Sequence, residues 1–284
     1  MTRRTGRLVL ITQPEHGALA GRLAARWGNR RFAVPEAREA LLIAATHHDD
    51  GWLGLDDGPA HNAHERRPAH FVELPLSETA GPYARNVEAL YERDLRAGAL
   101  VGMHLSGFYT GRWGLQSGVA SNDPQAMEVV AAQEARWIPA LREAWGYRGP
   151  RSDFDADIWF AYEVLQALDL LSLALGLLDL ERPPAGAPAI AMTRSLRSVD
   201  QPPGDRVVTG VPAAAGADRL DLTLHVAAPG RFVLDPYPFA QPELEVTLAA
   251  RSLEDRAYET PAESAAAFHA APVETLRAVI AAPA

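Results

Sequence analysis

The sequence predicts an α+β fold that is mainly α, and three observations carry that expectation. Apolar residues recur at helical spacing through most of the chain up to about residue 182. At ERPPAGAP (181–188) the composition shifts, and all six tryptophans lie before that point. After it, RLDLTLHV, RFVLDPYPF and LEVTLAAR alternate with the period of two that marks half-buried strands. The expected organisation is a helical domain over 1–182 and a β-rich C-terminal part over 183–284 packed on it. RLVLIT (7–12), short and β-like, has the pattern to pair with that sheet, which would join the two parts into one unit.

The elements follow in order. From Pro14, Leu19, Leu23 and Trp27 fall at steps of four on one helix face, with Pro14 suited to the first turn and Gly28 to the stop. A second helix is predicted from Pro35 to about Thr46, with Ala37, Leu41, Ala44 and Ala45 inward. Residues 53–80 are rich in Gly, Pro, Asp and His and read as a long loop, a feature that is often functional in a compact domain. A third helix fits 82–96 and a fourth fits AGALVGMHLSGFYTGRW (97–113). NDPQAMEVVAAQEARWIPALREAWG (122–146) has Asn122 or Asp123 as a cap and Gly146 as a stop, and DADIWFAYEVLQALDLLSLALGLL (155–178) is the most apolar helix. AAAFHAAPVETLRAVIAA is predicted to close the chain as a short helix, and DPYPF (235–239) as a tight turn whose rings pack on the core.

Composition narrows the function. With 284 residues the chain is long enough to bury a substantial core. A net charge of −9 argues against a nucleic-acid or anionic-membrane partner, either of which needs a basic face. A small-molecule substrate is the partner expected. The absence of cysteine removes disulfides, thiol catalysis and cysteine-held metals, so any metal must be held by imidazole and carboxylate. The N-terminal apolar run, LVLI, is shorter than the roughly 7–15 residues of a signal peptide. The run around LALGLL, flanked by Asp169 and Asp179, falls short of the roughly 20 residues of a membrane span. A cytoplasmic location is expected.

The titratable residues of interest sit in apolar settings. HHDDGW (47–52) ends the core helix ALLIAAT with four ionisable side chains in a row. Asp169, in EVLQALDLLSLAL, has leucine on both sides and Leu165, Gln166, Ser172 and Leu173 as helical neighbours. An unpaired carboxylate buried there would cost several kcal/mol. It must be protonated and hydrogen-bonded, paired with an arginine, or bound to a metal. His16 and His104 are each, taken singly, ordinary satisfied histidines. Together with the adjacent His48 and Asp49, they form a set of mixed N/O donors that suits Mn, Fe, Zn or Ni.

That combination resembles the HD-domain superfamily of metal-dependent enzymes, with a His, a His-Asp pair and a later Asp on successive helices; HDDG (48–51) matches its HD-x-G pattern. More closely, the chain resembles the DUF3891 family through Q-x-x-H-x-x-L-A (13–20), HDDGW and the LDLLSL helix, over almost its whole length. The superfamily resemblance implies an HD-like helical core with a divalent transition metal, one or two ions, at its centre. His16, His48, Asp49 and Asp169 would be the one-metal set, with His104 an additional ligand. A second ion would need a further histidine, from among His47, His61, His64 and His70, with Asp49 bridging.

The resemblance favours a metal-dependent hydrolase of a phosphoester or nucleotide-like molecule. Asp49 or Asp50 would assist as base, and Arg66, Arg67 or Arg112 would hold the anion, with Tyr109 a further pocket residue. Asp50 could equally cap the following loop, and Trp52 reads as packing beside the site. His61, His64 and His70 read as solvated. The alternatives are a two-iron oxygenase and a non-enzymatic metal- or ligand-binding domain.

Overall fold

The computed structural model describes residues 1–4, 6–110, 123–146, 156–177, 190–192, 200 and 204–283. The helices are α1 (Gln13–Ala24), α2 (Arg38–His47), the short α3 (Leu53–Asp56), α4 (Leu76–Arg93), α5 (Leu95–Thr110), α6 (Pro124–Trp145), α7 (Ala156–Leu177) and α8 (Pro261–Ala270). Ten strands are described: β1 (Thr2–Arg4), β2 (Arg7–Leu10), β3 (His61–Asn62), β4 (Arg67–Pro68), β5 (Ile190–Ala191), β6 (Arg206–Pro212), β7 (Arg219–Ala228), β8 (Arg231–Asp235), β9 (Glu243–Glu254) and β10 (Val273–Ala281). The chain is thus α+β. Eight strands form one mixed sheet in the order β1-β2-β9-β10-β8-β7-β6-β5, parallel only at β10/β8 and β6/β5.

Local chemistry sets most helix ends. Thr12 accepts from the backbone N–H of Glu15 and Pro14 fills the first turn, so α1 starts where its sequence says. It stops at Ala24, before Gly28, because Trp27 leaves the helix to bridge Phe239 while Gly28 N donates to the Pro238 carbonyl. Asp123 caps α6, and Gly146 ends it at φ 68°, a left-handed position that glycine takes without strain. α4 begins six residues before the expected start at Pro82, which sits inside the helix. The supposed loop 53–80 is partly ordered: it holds α3, the β3–β4 hairpin and a 3-10 turn at Phe71–Glu73.

The clearest correction is at the C-terminus. Only Pro261–Ala270 is helical; VETLRAVIA is β10, bonded to β9 on one side and β8 on the other. Pro272 disfavours continuation of the helix through the residue before it, and two waiting strand edges outweigh the helix propensity of Leu, Arg and Ala. β2 pairs with β9, so the N-terminal strand does join the C-terminal sheet. The DPYPF rings pack as expected, Phe239 being 2% exposed and in edge contact with Tyr237.

Helix α7 lies on β6 and α1 on β9. One apolar core runs from Leu19, Leu41 and Leu171 into Val208, Leu224, Phe232 and Ile280. A smaller cluster, Leu8, Leu10, Leu253, Tyr258 and Phe268, sits under α8. By length and composition Asp157–Leu177 could cross a membrane, unlike the shorter run read from sequence, yet 94% of its apolar window is buried inside the protein.

Two consequences can be measured. A Cβ on Gly21 would collide with Thr46 Oγ1 and lie 3.0 Å from the Thr46 Cα, so α1 and α2 pack closely here. Gly21→Ala is expected to lower unfolding free energy by about 1–3 kcal/mol in urea titrations. Adding Thr46→Ala should restore only part, because the backbone contact remains. The second concerns pH. Burial, then the Met1 ammonium and Arg67, push His70 from its usual 6.5 down to about 3, while Arg67 overcomes burial to hold Glu73 at about 2. The unfolded chain therefore takes up protons that the native state refuses, and stability should fall as pH drops from about 6.5 towards 3, with Glu73 adding to the loss below about 4.5. His70→Asn, which keeps a capping acceptor, should flatten the decline between pH 6.5 and 4.5 in urea midpoints.

Candidate metal centre

Four helical segments bring five titratable side chains together. His16 comes from the second turn of α1, His48 from the end of α2, Asp49 from the residue after it, His104 from α5 and Asp169 from the middle of α7. None is more than 3% exposed. His16 Nε2 lies 2.6 Å and His48 Nε2 3.6 Å from Asp49 Oδ2. Across the site, Asp169 Oδ1 lies 3.6 Å from His48 Nε2, and its Oδ2 lies 3.7 Å from His104 Nε2. Two groupings, His16/His48/Asp49 and His48/His104/Asp169, each place their donor atoms within 4.8 Å of one another and could hold a metal ion.

Why the chain folds to this point is visible locally. Gly17 lets α2 approach: a Cβ there would meet the Thr46 carbonyl at 3.1 Å and the His48 ring at 3.7 Å. Asn86, on α4, donates to the carbonyls of His47 (2.9 Å) and His48 (3.0 Å), fixing the end of α2. There the helix gives way to a 3-10 turn, Asp50–Trp52. His48 and His104 meet edge-on at 5.3 Å, and Phe108 meets His104 edge-on at 4.5 Å.

The hydrogen bonds decide which ring nitrogens point inward. His48 Nδ1 donates to the Ala45 carbonyl at 3.0 Å, so Nε2 is the nitrogen turned inward, buried and without a hydrogen-bond partner, and a metal would bind there in place of a proton. Ser172 spends its hydroxyl proton on the Asp169 carbonyl (2.8 Å), so it accepts from His16 Nδ1, also at 2.8 Å. His16 Nε2 then faces the Asp49 carboxylate. His16 and His48 thus aim their Nε2 atoms at two buried carboxylates, an arrangement that requires a proton or a cation between them. Two carboxylates and three neutral imidazoles balance one divalent ion, and backbone and hydroxyl support behind the imidazoles is how metal-binding histidines are oriented.

Electrostatics agree. Burial alone would lower His48, but Asp49 and then Asp169 raise it to about 9. Burial dominates at His104 and takes it down to about 4. Asp49 and Asp169 lie below the usual carboxylate range because the surrounding imidazoles overcome the effect of burial. Positive charge is therefore favoured where His48 meets both carboxylates.

Other expected residues lie elsewhere. Asp50 accepts from His47 Nδ1 at 2.7 Å, and both are partly exposed. Arg66 pairs with Glu259 at 3.0 Å, and Arg67 grips both oxygens of Glu73 at 2.7 and 2.9 Å. Tyr109 packs edge-on against Phe108. Arg112 lies outside the described residues. His64 is solvated and His61 half-buried, but His70 is buried at 1% exposure, because it caps the turn that Glu73 closes. Trp52 packs edge-on against Tyr83.

Tyr83 is the residue that sequence reasoning missed. Its hydroxyl donates to Asp49 Oδ1, and burial and Asp49 push its own pKa well up. Tyr83, Asn86, Val87 and Leu90 form the buried i, i+3, i+4, i+7 face of α4, which was the signal available.

A buried His/Asp cluster able to hold a metal ion, set among helices beside a mixed sheet, defines the class of protein. The chain belongs to the DUF3891 family, "Protein of unknown function (DUF3891)", whose family model matches residues 1–255. No curated protein and no solved structure matches it.

His48→Ala is expected to lose bound metal and, with it, the metal-dependent part of the thermal midpoint, measured by elemental analysis and scanning calorimetry with and without added Mn²⁺. Tyr83→Phe should keep the ligands but weaken metal affinity about 10–100-fold in chelator competition.

Proposed function

We propose that this chain is a single-metal hydrolase built on an HD-like helical core and acting on a phosphoester. The observation that carries the reading is the inward-facing, unpartnered Nε2 of His48, shared by both donor groupings. One imidazole lone pair binds one ion, so the two groupings are halves of a single five-donor set: His16, His48, Asp49, His104 and Asp169. Tyr83 holds Asp49 Oδ1, which leaves Oδ2, beside His16 and His48, as the oxygen to meet an ion and weighs against a carboxylate bridge between two irons. Such a donor set accepts Fe, Mn, Zn or Ni.

When bound, the ion would supply Lewis acidity and an activated water for attack on the ester. The chain's own residues provide the rest. Ser172 and Ala45 orient His16 and His48, and Tyr83 fixes Asp49 as a ligand, which transfers the role of base to Asp50. Asp50 and His47, hydrogen-bonded and partly exposed, form the pair through which a proton would pass to solvent. Arg66 and Arg67 are already engaged by Glu259 and Glu73, so neither is assigned to the substrate.

The test is metal stoichiometry followed by turnover. About one Mn, Fe, Zn or Ni per chain, with hydrolysis of members of a phosphoester panel that is lost in His48→Ala and reduced in Asp50→Asn, is the expected result. Two irons per chain with oxygen uptake would move the assignment to the oxygenase. No metal after reconstitution would end the enzymatic reading.

A further inference from the structure

A cleft beside the metal centre is lined very differently from a nucleotide site. It lies between the β2–α1 junction and the segment 52–74, with about 540 Å³ of space counted out to its open mouth. Leu10, Ile11, Trp52, Leu55, Phe71 and Leu74 line it. A second hollow shares Ile11, Gln13 and Phe71 with the first and reaches His16 and Ser172. The second hollow therefore reaches His16 on the side where its Nδ1 meets Ser172. The wall of the cleft also touches the other side, since Trp52 packs edge-on at 6.2 Å against Tyr83, whose hydroxyl bonds Asp49.

Charge in the lining points the same way. Among the described residues, neither hollow is lined by an arginine. The ionisable groups in the larger one are Asp56, whose Oδ2 accepts from the Gln13 backbone N–H at 2.7 Å, and the amino terminus of Met1, a residue that lines both hollows and interacts with Asp56. The two charges offset each other, so the lining offers a polyphosphate no net cation, and the aliphatic and aromatic side chains that make up most of the wall suit an apolar group better than a sugar.

We propose that this cleft seats the apolar alkyl or aryl part of the substrate, which makes the substrate the monoester of a small hydrophobic alcohol and not a nucleotide. The ester end of this assignment rests on the metal-centre reading; the apolar end stands on the cleft alone. Two buried methylenes are enough for roughly tenfold selectivity over a polar group of the same size.

The test follows the indole N–H resonance of Trp52 in ¹⁵N-labelled full-length protein, identified with Trp52→Phe. Hexan-1-ol should shift it in the wild type and equally in His48→Ala, and the shift should vanish in Leu55→Asp. If Leu55→Asp misfolds, Leu55→Trp, which fills the cleft with an apolar ring, should abolish it too. Hexyl phosphate should bind at least tenfold more tightly than ribose 5-phosphate. A resonance unmoved by hexan-1-ol up to its solubility limit, or ribose 5-phosphate binding as tightly as hexyl phosphate, overturns the proposal. Adding Mn²⁺ separates the two readings: hexyl phosphate affinity that does not rise with Mn²⁺, while the hexan-1-ol shift persists, overturns the metal reading and supports the cleft.

Discussion

Two carboxylates, Asp49 and Asp169, are buried at 3% exposure in a helical core, and the rest of the structure arranges itself around that cost. Burying an ionised carboxylate costs several kcal/mol unless opposite charge and hydrogen bonds compensate. Here the compensation comes from three imidazoles on three separate helices. Each helix must therefore hold its register to within a fraction of a turn. Gly17 and Gly21 permit the close approach of α1 to α2, and Asn86 pins the carbonyls where α2 ends. The fold and the site are consequences of the same packing.

The hydroxyl groups have a part equal to that of the imidazoles and carboxylates. Ser172 bonds both the Asp169 carbonyl and His16, so one side chain relays the position of α7 to α1. Tyr83 relays α4 to Asp49. Because each hydroxyl has a single proton to give, its partners determine which nitrogen or oxygen of the neighbouring ligand remains free. The number of ions the cluster can hold follows from those choices more than from the number of histidines nearby.

Much of this was legible in the sequence. HHDDGW after an apolar helix, and Asp169 flanked by leucines, marked the centre because charge in an apolar periodicity demands a partner. His16 and His104 became informative only in combination. Tyr83 and Asn86 were not recognised, because a tyrosine or asparagine on an amphipathic face reads as ordinary packing until its partner is placed opposite. Arg66 and Arg67 looked free because Glu259 lies 193 residues further along the chain and Glu73 is brought back by a turn, neither of which a linear reading closes. β10 was misread for the same reason in another form. Alanine-rich text has helical propensity, and only the two neighbouring strand edges decide against it.

The pairing of β2 with β9 also bears on the order in which the protein can be made. Arg7 sits opposite Glu254, so the strand that leads into His16 finds its neighbour only after the long stretch of chain between them has been synthesised. Until then Leu8 and Leu10 have neither Leu253 nor α8 to cover them, and β2 presents a bare edge. Contacts this remote in sequence carry a large loop-closure cost and are slow to form. The helices can collapse while the ribosome is still working, but α1 gains its final anchor last. The nascent chain therefore passes through a stage in which the ligands are translated but the first of them is not yet held in place, which makes that stage the one most exposed to aggregation.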